Sequence, residues 1–329
     1  MAGKKGLTGQ ITTEYLEKYP NVPSLTLARM ILRDHPLVYN SVEHARISIR
    51  SFRGAAGDRT RGKVKDRRFY GTGGMALPEG EEEQYKPYEM PKVNNNILFM
   101  SDIHLPFHDK ASIQLALEDA ADKDVNTVVL GGDILDMYSL SSFQKIPSKS
   151  TFVHERDLFW WLMDDINHFL PKAKVFWIEG NHEYRFSRYM LNKAVEVYDV
   201  PEFSIPVLFD LHTLGVEYIN RKQYIRAGSL NIMHGHEFGT TSQGVNPARG
   251  MFLKAKDNTL FGHLHKSSEH VTADVRGRII STYSVGCLCY LHPEYRPLNE
   301  WNSGFALIEI HPDGSYMAKN KKIENGRIR

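Results

Sequence analysis

The sequence predicts an α/β layered domain preceded by a small helical unit. From Asn95 onward, short apolar segments of strand length alternate with longer segments of helical spacing, whereas the three segments between Ile11 and Phe52 carry helical spacing alone. Charge divides in the same region. Residues 1–68 hold 14 lysines and arginines against 6 acidic residues, a balance of +8 in a chain whose total is +2, so the remainder is negative. Two regions with different electrostatic work fit that split better than one uniform surface.

A chain of 329 residues exceeds the usual single-domain size, and its 41% hydrophobic content is ample for a core. The longest apolar runs, such as Leu158 to Met163, stop far short of the roughly 20 residues that cross a bilayer. No apolar stretch follows Lys4 and Lys5, so a secretory signal is not expected, and the expectation is a soluble, cytoplasmic protein with no membrane partner. The two cysteines, Cys287 and Cys289, are one residue apart, a spacing poorly shaped for a disulfide. They read as two small buried side chains in a strand.

The first helix is expected over Ile11 to Tyr19, stopped by Pro20, and the second over Ser24 to Asp34, with Leu25, Leu27, Ala28, Ile31 and Leu32 at helical intervals. The third starts at Ser41 as N-cap and runs to about Phe52. Val42, Ala45, Ile49 and Phe52 form its apolar stripe, and Arg46, Arg50 and Arg53 line one basic edge. This layout suggests a helix-turn-helix-like domain over 1–62, with Arg46, Arg50, Arg53, Arg59 and Arg61 as candidate nucleic-acid contacts. A glycine-rich and then acidic stretch, 63–92, reads as a linker, and 93–329 as the α/β domain.

In that domain the candidate strands are Ile97 to Met100, Thr127 to Leu130, Val175 to Ile178, Leu230 to Met233 and Thr259 to Phe261. Candidate helices are Ser112 to Ala121, His154 to Phe169, Glu183 to Val197 and Pro247 to Ala255. Beyond His265 hairpins are expected, with turns at Arg276-Gly277 and Pro312-Asp313-Gly314.

Each strand is followed by residues of metal-ligand type. Asp102-Ile103-His104 follows the first, Gly131-Gly132-Asp133 the second and Gly180-Asn181-His182-Glu183 the third. His234-Gly235-His236 follows the fourth, and Gly262-His263-Leu264-His265 the fifth. Open α/β sheets gather their sites at the carboxyl ends of strands, so these residues can converge. Carboxylates and neutral imidazoles suit Mn²⁺, Zn²⁺ or Fe, and no thiolate stands among them to favour a structural zinc cage. One carboxylate can bridge two cations about 3.5–4 Å apart and so pin a water that loses its proton near neutral pH. Singly, each fragment is common: an isolated Gly-Asp is an ordinary turn, and Asn181 and Glu183 could equally belong to a turn capping the next helix. All five in order after strands point to a metal site.

That ordered set resembles the calcineurin-like metallophosphoesterase superfamily, over about two-thirds of the chain from Asn95 to near Met317. The resemblance implies a four-layer αββα sandwich with two mixed sheets. It implies one metal held by Asp102, His104, Asp133 and His265, and a second held by Asp133, Asn181, His234 and His263. Asp133 would be the bridge, and His182 would contact the substrate phosphate and protonate the leaving oxygen. Mn²⁺ is the expected pair, with Zn²⁺ or Fe²⁺ as alternatives. The protein serine/threonine phosphatase branch is disfavoured, because Leu105 follows His104 and Ile134-Leu135-Asp136-Met137 follows Asp133. His236 is either a substrate contact beside the ligands or a surface histidine. Arg185 and Arg188 either reach a phosphate or line a solvated helix face. The other histidines have no matching spacing and are treated as ordinary.

The expected function is hydrolysis of phosphate esters by a hydroxide bridging two metals, acting on DNA or RNA as nuclease or end-processing enzyme through the basic N-terminal segment. The alternative is a phosphatase or phosphodiesterase of nucleotides, phosphoproteins or other small esters, with the N-terminal segment as a lid or a homo-oligomer contact. A non-catalytic DNA-binding regulator is disfavoured, since every expected ligand position is filled.

Overall fold

The computed structural model describes residues 6–55, 85–142, 150–239 and 245–329. It divides into two compact units, residues 1–84 and 85–329.

The first unit contains α1 (Leu7–Lys18), α2 (Ser24–Asp34) and α3 (Val42–Phe52). Ser41 caps α3 by accepting from His44 N. Leu16, Leu27, Ala28, Ile31, Tyr39, Ala45 and Ile49 make a small core of their own, while Leu25 faces solvent. Buried Thr12 meets Tyr39 and Ser48 through hydroxyl contacts of 2.8 Å, which satisfies the polar groups that this core encloses. Arg53 departs from the expected basic edge. Its guanidinium donates to Val22 O at 2.6 Å, Pro20 O at 3.0 Å and Ser24 Oγ at 3.1 Å, tying the end of α3 to the α1–α2 turn. Arg50 is exposed, Arg46 leans on Glu43, and Arg59 and Arg61 lie outside the described residues.

The second unit begins within the stretch read as a linker. Most of 63–92 lies outside the described residues, but its end contributes β1 (Tyr88–Glu89), paired parallel with β6 (Ile225–Ala227). The remaining strands are β2 (Asn96–Met100), β3 (Thr127–Leu130), β4 (Lys174–Ile178), β5 (Val216–Ile219), β7 (Leu230–Met233), β8 (Thr259–Phe261), β9 (Ser268–Ala273), β10 (Ile279–Ser284), β11 (Ser303–Ile310), β12 (Tyr316–Glu324) and β13 (Arg327–Ile328). They form two mixed sheets, ordered β13-β12-β11-β2-β3-β4-β5 and β1-β6-β7-β8-β10-β9. The helices are α4 (Lys110–Ala121), α5 (Phe152–Phe169), α6 (Tyr184–Lys193), α7 (Ile205–Leu208) and α8 (Pro247–Ala255). The helix expected to reach Val197 ends at Lys193, where Ala194 leaves helical angles.

Strand periodicity explains the layering. Leu98, Val128, Leu130, Val175 and Trp177 face α4 and α5, meeting Ala116, Leu117, Phe159 and Leu162. Their alternates Ile97, Phe99, Val129, Phe176 and Ile178 face the other sheet and pack on Ile225, Leu230, Ile232 and Leu260. Burial of both faces turns these strands into continuous apolar runs. Met233 and Phe261 face outward onto Met251 of α8, completing the αββα sandwich. The hairpin turns at Gly277 and Gly314 both use positive φ, at 78° and 84°.

Candidate active site and metal centre

β2, β3 and β4 run parallel in one sheet, and β7 and β8 run parallel in the other. Their carboxyl ends deliver the expected residues to one place. Asp102, His104, Asp133, His263 and His265 all have φ between 51° and 66°, the left-handed region that non-glycine residues seldom occupy. Such strain costs about 1–3 kcal/mol per residue and persists only where the surroundings impose it. Here backbone bonds impose it: Asp102 N donates to Gly132 O, His104 N to Asp133 O and Gly262 N to His234 O. Gly132 itself sits at φ 90°, where a Cβ would lie 2.5 Å from the His234 ring.

The carboxylates are fixed by one oxygen and leave the other turned inward. Asp102 Oδ2 accepts from Ser101 Oγ at 2.7 Å and His263 N at 2.8 Å, while its Oδ1 is buried and makes no hydrogen bond. Asp133 Oδ1 accepts from His182 N at 2.8 Å. Its Oδ2 stands 3.3 Å from His234 Nε2, 3.8 Å from His182 Nε2 and 4.0 Å from His104 Nε2.

Two donor groups share that oxygen. His104 Nε2 and His265 Nε2 are 3.1 Å apart, with Asp102 Oδ1 at 4.0 and 3.1 Å from them. On the other side His234 Nε2 lies 3.1 Å from Asn181 Oδ1, and Asp133, His234 and His263 bring donor atoms within 4.8 Å of one another. Donors about 2.0–2.2 Å from a single cation stand roughly 3–4.4 Å from each other. The spacings therefore fit one divalent cation on each side of Asp133, and Asp102 Oδ1 is an acceptor that such a cation would satisfy.

The electrostatics agree. Burial opposes ionisation of Asp102, yet the His265 and His234 charges hold its carboxyl down to about 2. Burial likewise opposes charge on His265 and His234, but Asp102 and Asp133 respectively push both imidazoles up to about 10. His263, buried and beside His234, is pushed down to about 3. Without cations the cluster draws protons onto its imidazoles, and divalent cations meet the same demand for positive charge.

His234 Nδ1 donates to Gly131 O at 2.8 Å, which aims Nε2 at Asp133 and Asn181, where a cation would take the place of the Nε2 proton. His236 lies beside this group, its ring centroid 5.3 Å from that of His234, with Nδ1 buried and without a hydrogen-bond partner. Arg185 is turned inward. It donates to Asp136 O at 2.7 Å and to His182 Nε2 at 2.9 Å, whereas Arg188 is exposed.

Sequence patterns missed four residues here. Asp136 stands 3.2 Å from His104 Nδ1 and 3.3 Å from His182 Nδ1, orienting both rings. Buried Glu183 accepts from Gly180 N, Asp133 N, Ile134 N and Leu135 N at 2.8–3.0 Å, so one carboxylate clamps two ligand loops together. Trp301 packs 4.1 Å from the His265 ring, centroid to centroid. The Cys289 thiol lies among the ligands, within 4.8 Å of ring nitrogens of both His104 and His265. Both cysteines are buried and free, as the sequence reading has them, though in isolated bridges rather than a regular strand; Cys289 in addition stands beside two of the candidate ligands.

Residues 96–276 match the model of the calcineurin-like phosphoesterases. The Gene 54 protein of Mycobacterium phage L5 is 24% identical over 244 residues, 68% of this chain and 92% of that one. Among solved structures, a Vps29 mutant from Entamoeba histolytica shares 15% identity over 71% of this chain and 96% of its own, with a TM-score of 0.38. A dimetal phosphatase from Danio rerio shares 12% over 67% and 93%, with a TM-score of 0.33. No described helix is long and apolar enough to cross a membrane. With more than half its length matched by the family model, the chain belongs to the calcineurin-like phosphoesterases and is a metal-dependent hydrolase of that family.

Proposed function

We propose that this phosphoesterase acts on nucleic acid, cleaving phosphodiesters or processing ends. The observation that carries the reading is the +8 balance of residues 1–68 beside an otherwise acidic chain, with Arg46 and Arg50 on the outer part of α3 and Arg59 and Arg61 beyond it. Arg53 is left out of this surface because its guanidinium is spent on the α1–α2 turn. Polyanion binding of this kind weakens steeply with salt. An exposed aromatic, Tyr295, neighbours Trp301 near His265, a surface on which a base can stack.

In this reading the first cation would be held by Asp102, His104, Asp133 and His265, and the second by Asp133, Asn181, His234 and His263. When bound, the two cations activate a water between them and offset charge on the phosphoryl oxygens. Asp133 would serve both cations, and Asn181 and His182 would position the phosphate. Once Arg185 moves from His182 Nε2 to a phosphate oxygen, that nitrogen would take up a proton, which the Asp133 and Asp136 charges favour against burial, and deliver it to the leaving oxygen. The oxygen and imidazole donors suit Mn²⁺, with Zn²⁺ and Fe²⁺ as alternatives.

A second reading, a nucleotide or other small ester as substrate, is favoured by a cleft of about 600 Å³ lined by His236, Arg221, Lys222 and Tyr224. The two are separated by measuring binding and hydrolysis of labelled oligonucleotides between 50 and 200 mM salt (roughly the range over which such contacts titrate), for the full chain and for a chain lacking 1–68. Strong salt dependence that disappears with the deletion supports nucleic acid. Salt-independent binding, or turnover of mononucleotides alone, refutes it.

A further inference from the structure

We propose that Cys289 is a thiolate donor to the first of the two cations, making that position softer than the second. The inference rests on the dimetal reading and adds a ligand to it. Three facts lead to it. Cys289 Sγ and one ring nitrogen each from His104 and His265 lie within 4.8 Å of one another, and all three residues are buried. Arms of about 2.3 Å from sulfur and 2.1 Å from imidazole around one zinc span up to about 4.4 Å, so a shift of a few tenths of an ångström closes the group on a cation. The backbone holds the thiol in place. Leu288 N donates to Asp102 O at 3.1 Å, Tyr290 N to Phe107 O at 2.9 Å, and Cys289 pairs with His108 as an isolated bridge. The cysteine segment is thereby fastened to the loop that carries Asp102 and His104.

Binding forms a sulfur–metal bond as the S–H bond breaks, and the proton leaves to solvent. Thiolate favours Zn²⁺ or Fe²⁺ over Mn²⁺ and Mg²⁺, whereas the second position offers only carboxylate, amide and imidazole donors. The centre is therefore asymmetric: a soft first position and a second that accepts Mn²⁺.

Zinc K-edge absorption on protein carrying one and two equivalents of Zn²⁺ tests this, together with Cys289→Ser and Cys287→Ser. Wild type and Cys287→Ser should show a sulfur scatterer at about 2.3 Å. Cys289→Ser should lose it and bind the first zinc about tenfold or more weakly, with Mn²⁺ affinity much less affected. Two zinc ions per chain with only nitrogen and oxygen neighbours in wild type would overturn the thiolate and leave the dimetal reading standing. Failure of wild type to retain two zinc ions would overturn both. The wild-type spectrum decides the matter even if the serine variant folds poorly.

Discussion

Replacing Glu183 by glutamine should loosen the metal loops without touching any proposed ligand. The wild-type carboxylate accepts four buried amide hydrogens, two on each oxygen: Ile134 N and Leu135 N on Oε1, Asp133 N and Gly180 N on Oε2. A glutamine retains one oxygen and turns an NH₂ against the other two amides, leaving two buried donors unpaired. At about 1–3 kcal/mol for each unsatisfied group, the loss is roughly 2–6 kcal/mol. All four tryptophans lie at positions 160, 161, 177 and 301, so their fluorescence in urea follows the second unit alone. Glu179→Gln is the control: that carboxylate is buried on the same loop but bonds a single amide, Arg221 N at 3.0 Å, and should cost about 1 kcal/mol. Because the clamped loops carry Asp133 and Asn181, calorimetry should also show weaker metal binding for Glu183→Gln. Stability within about 0.5 kcal/mol of wild type, with unchanged metal affinity, would refute the clamp.

Other outcomes follow from the same geometry. Burial, with the Asp136 charge beside it, pushes the fully buried Glu155 carboxyl up to about 7, above the usual carboxylate value. The folded state therefore binds this proton more tightly than the unfolded chain, and the stability it contributes is complete near pH 4 and lost as pH rises through 7. Against Glu155→Gln, wild type should lose about 3 kcal/mol between pH 4.5 and 8 in urea melts; a pH-independent difference would contradict the assignment. His182→Ala should slow an alkyl phosphate ester roughly 10²-fold or more while sparing a p-nitrophenyl ester, and equal effects on both would remove its role as acid. Arg53→Ala should destabilise the N-terminal unit by about 1–3 kcal/mol, seen as earlier melting of helical signal, and leave salt-dependent nucleic-acid binding intact; the reverse pattern would restore Arg53 to the basic surface.

What was legible beforehand was local. Each strand and the ligand types after it occupy a few consecutive residues, so the pattern from Asp102 to His265 could be read without knowing how the strands pair. β5, β6 and α7 are three to four residues long and carry too little periodicity to stand out. Arg53 was misread because helical spacing gives the direction of a side chain's root and not where a long side chain folds back. Asp136, Glu183 and Cys289 stand against partners 24 to 185 positions away in the chain, Gly180 beside Glu183 excepted, and only tertiary structure brings those partners near. For Cys289 the sequence says only that the side chain is small, buried and without a disulfide partner; the β10–β11 connection is what lays it against two histidines.

In the metal-loaded protein Asp133 would be shared by two cations. Anomalous diffraction at the zinc edge from crystals of the protein grown with excess Zn²⁺ tests this. Two peaks about 3.5–4 Å apart are expected beside Asp133, one within bonding distance of Asp102 and His265 and the other of Asn181 and His234. A single peak, or peaks away from Asp133, would contradict it.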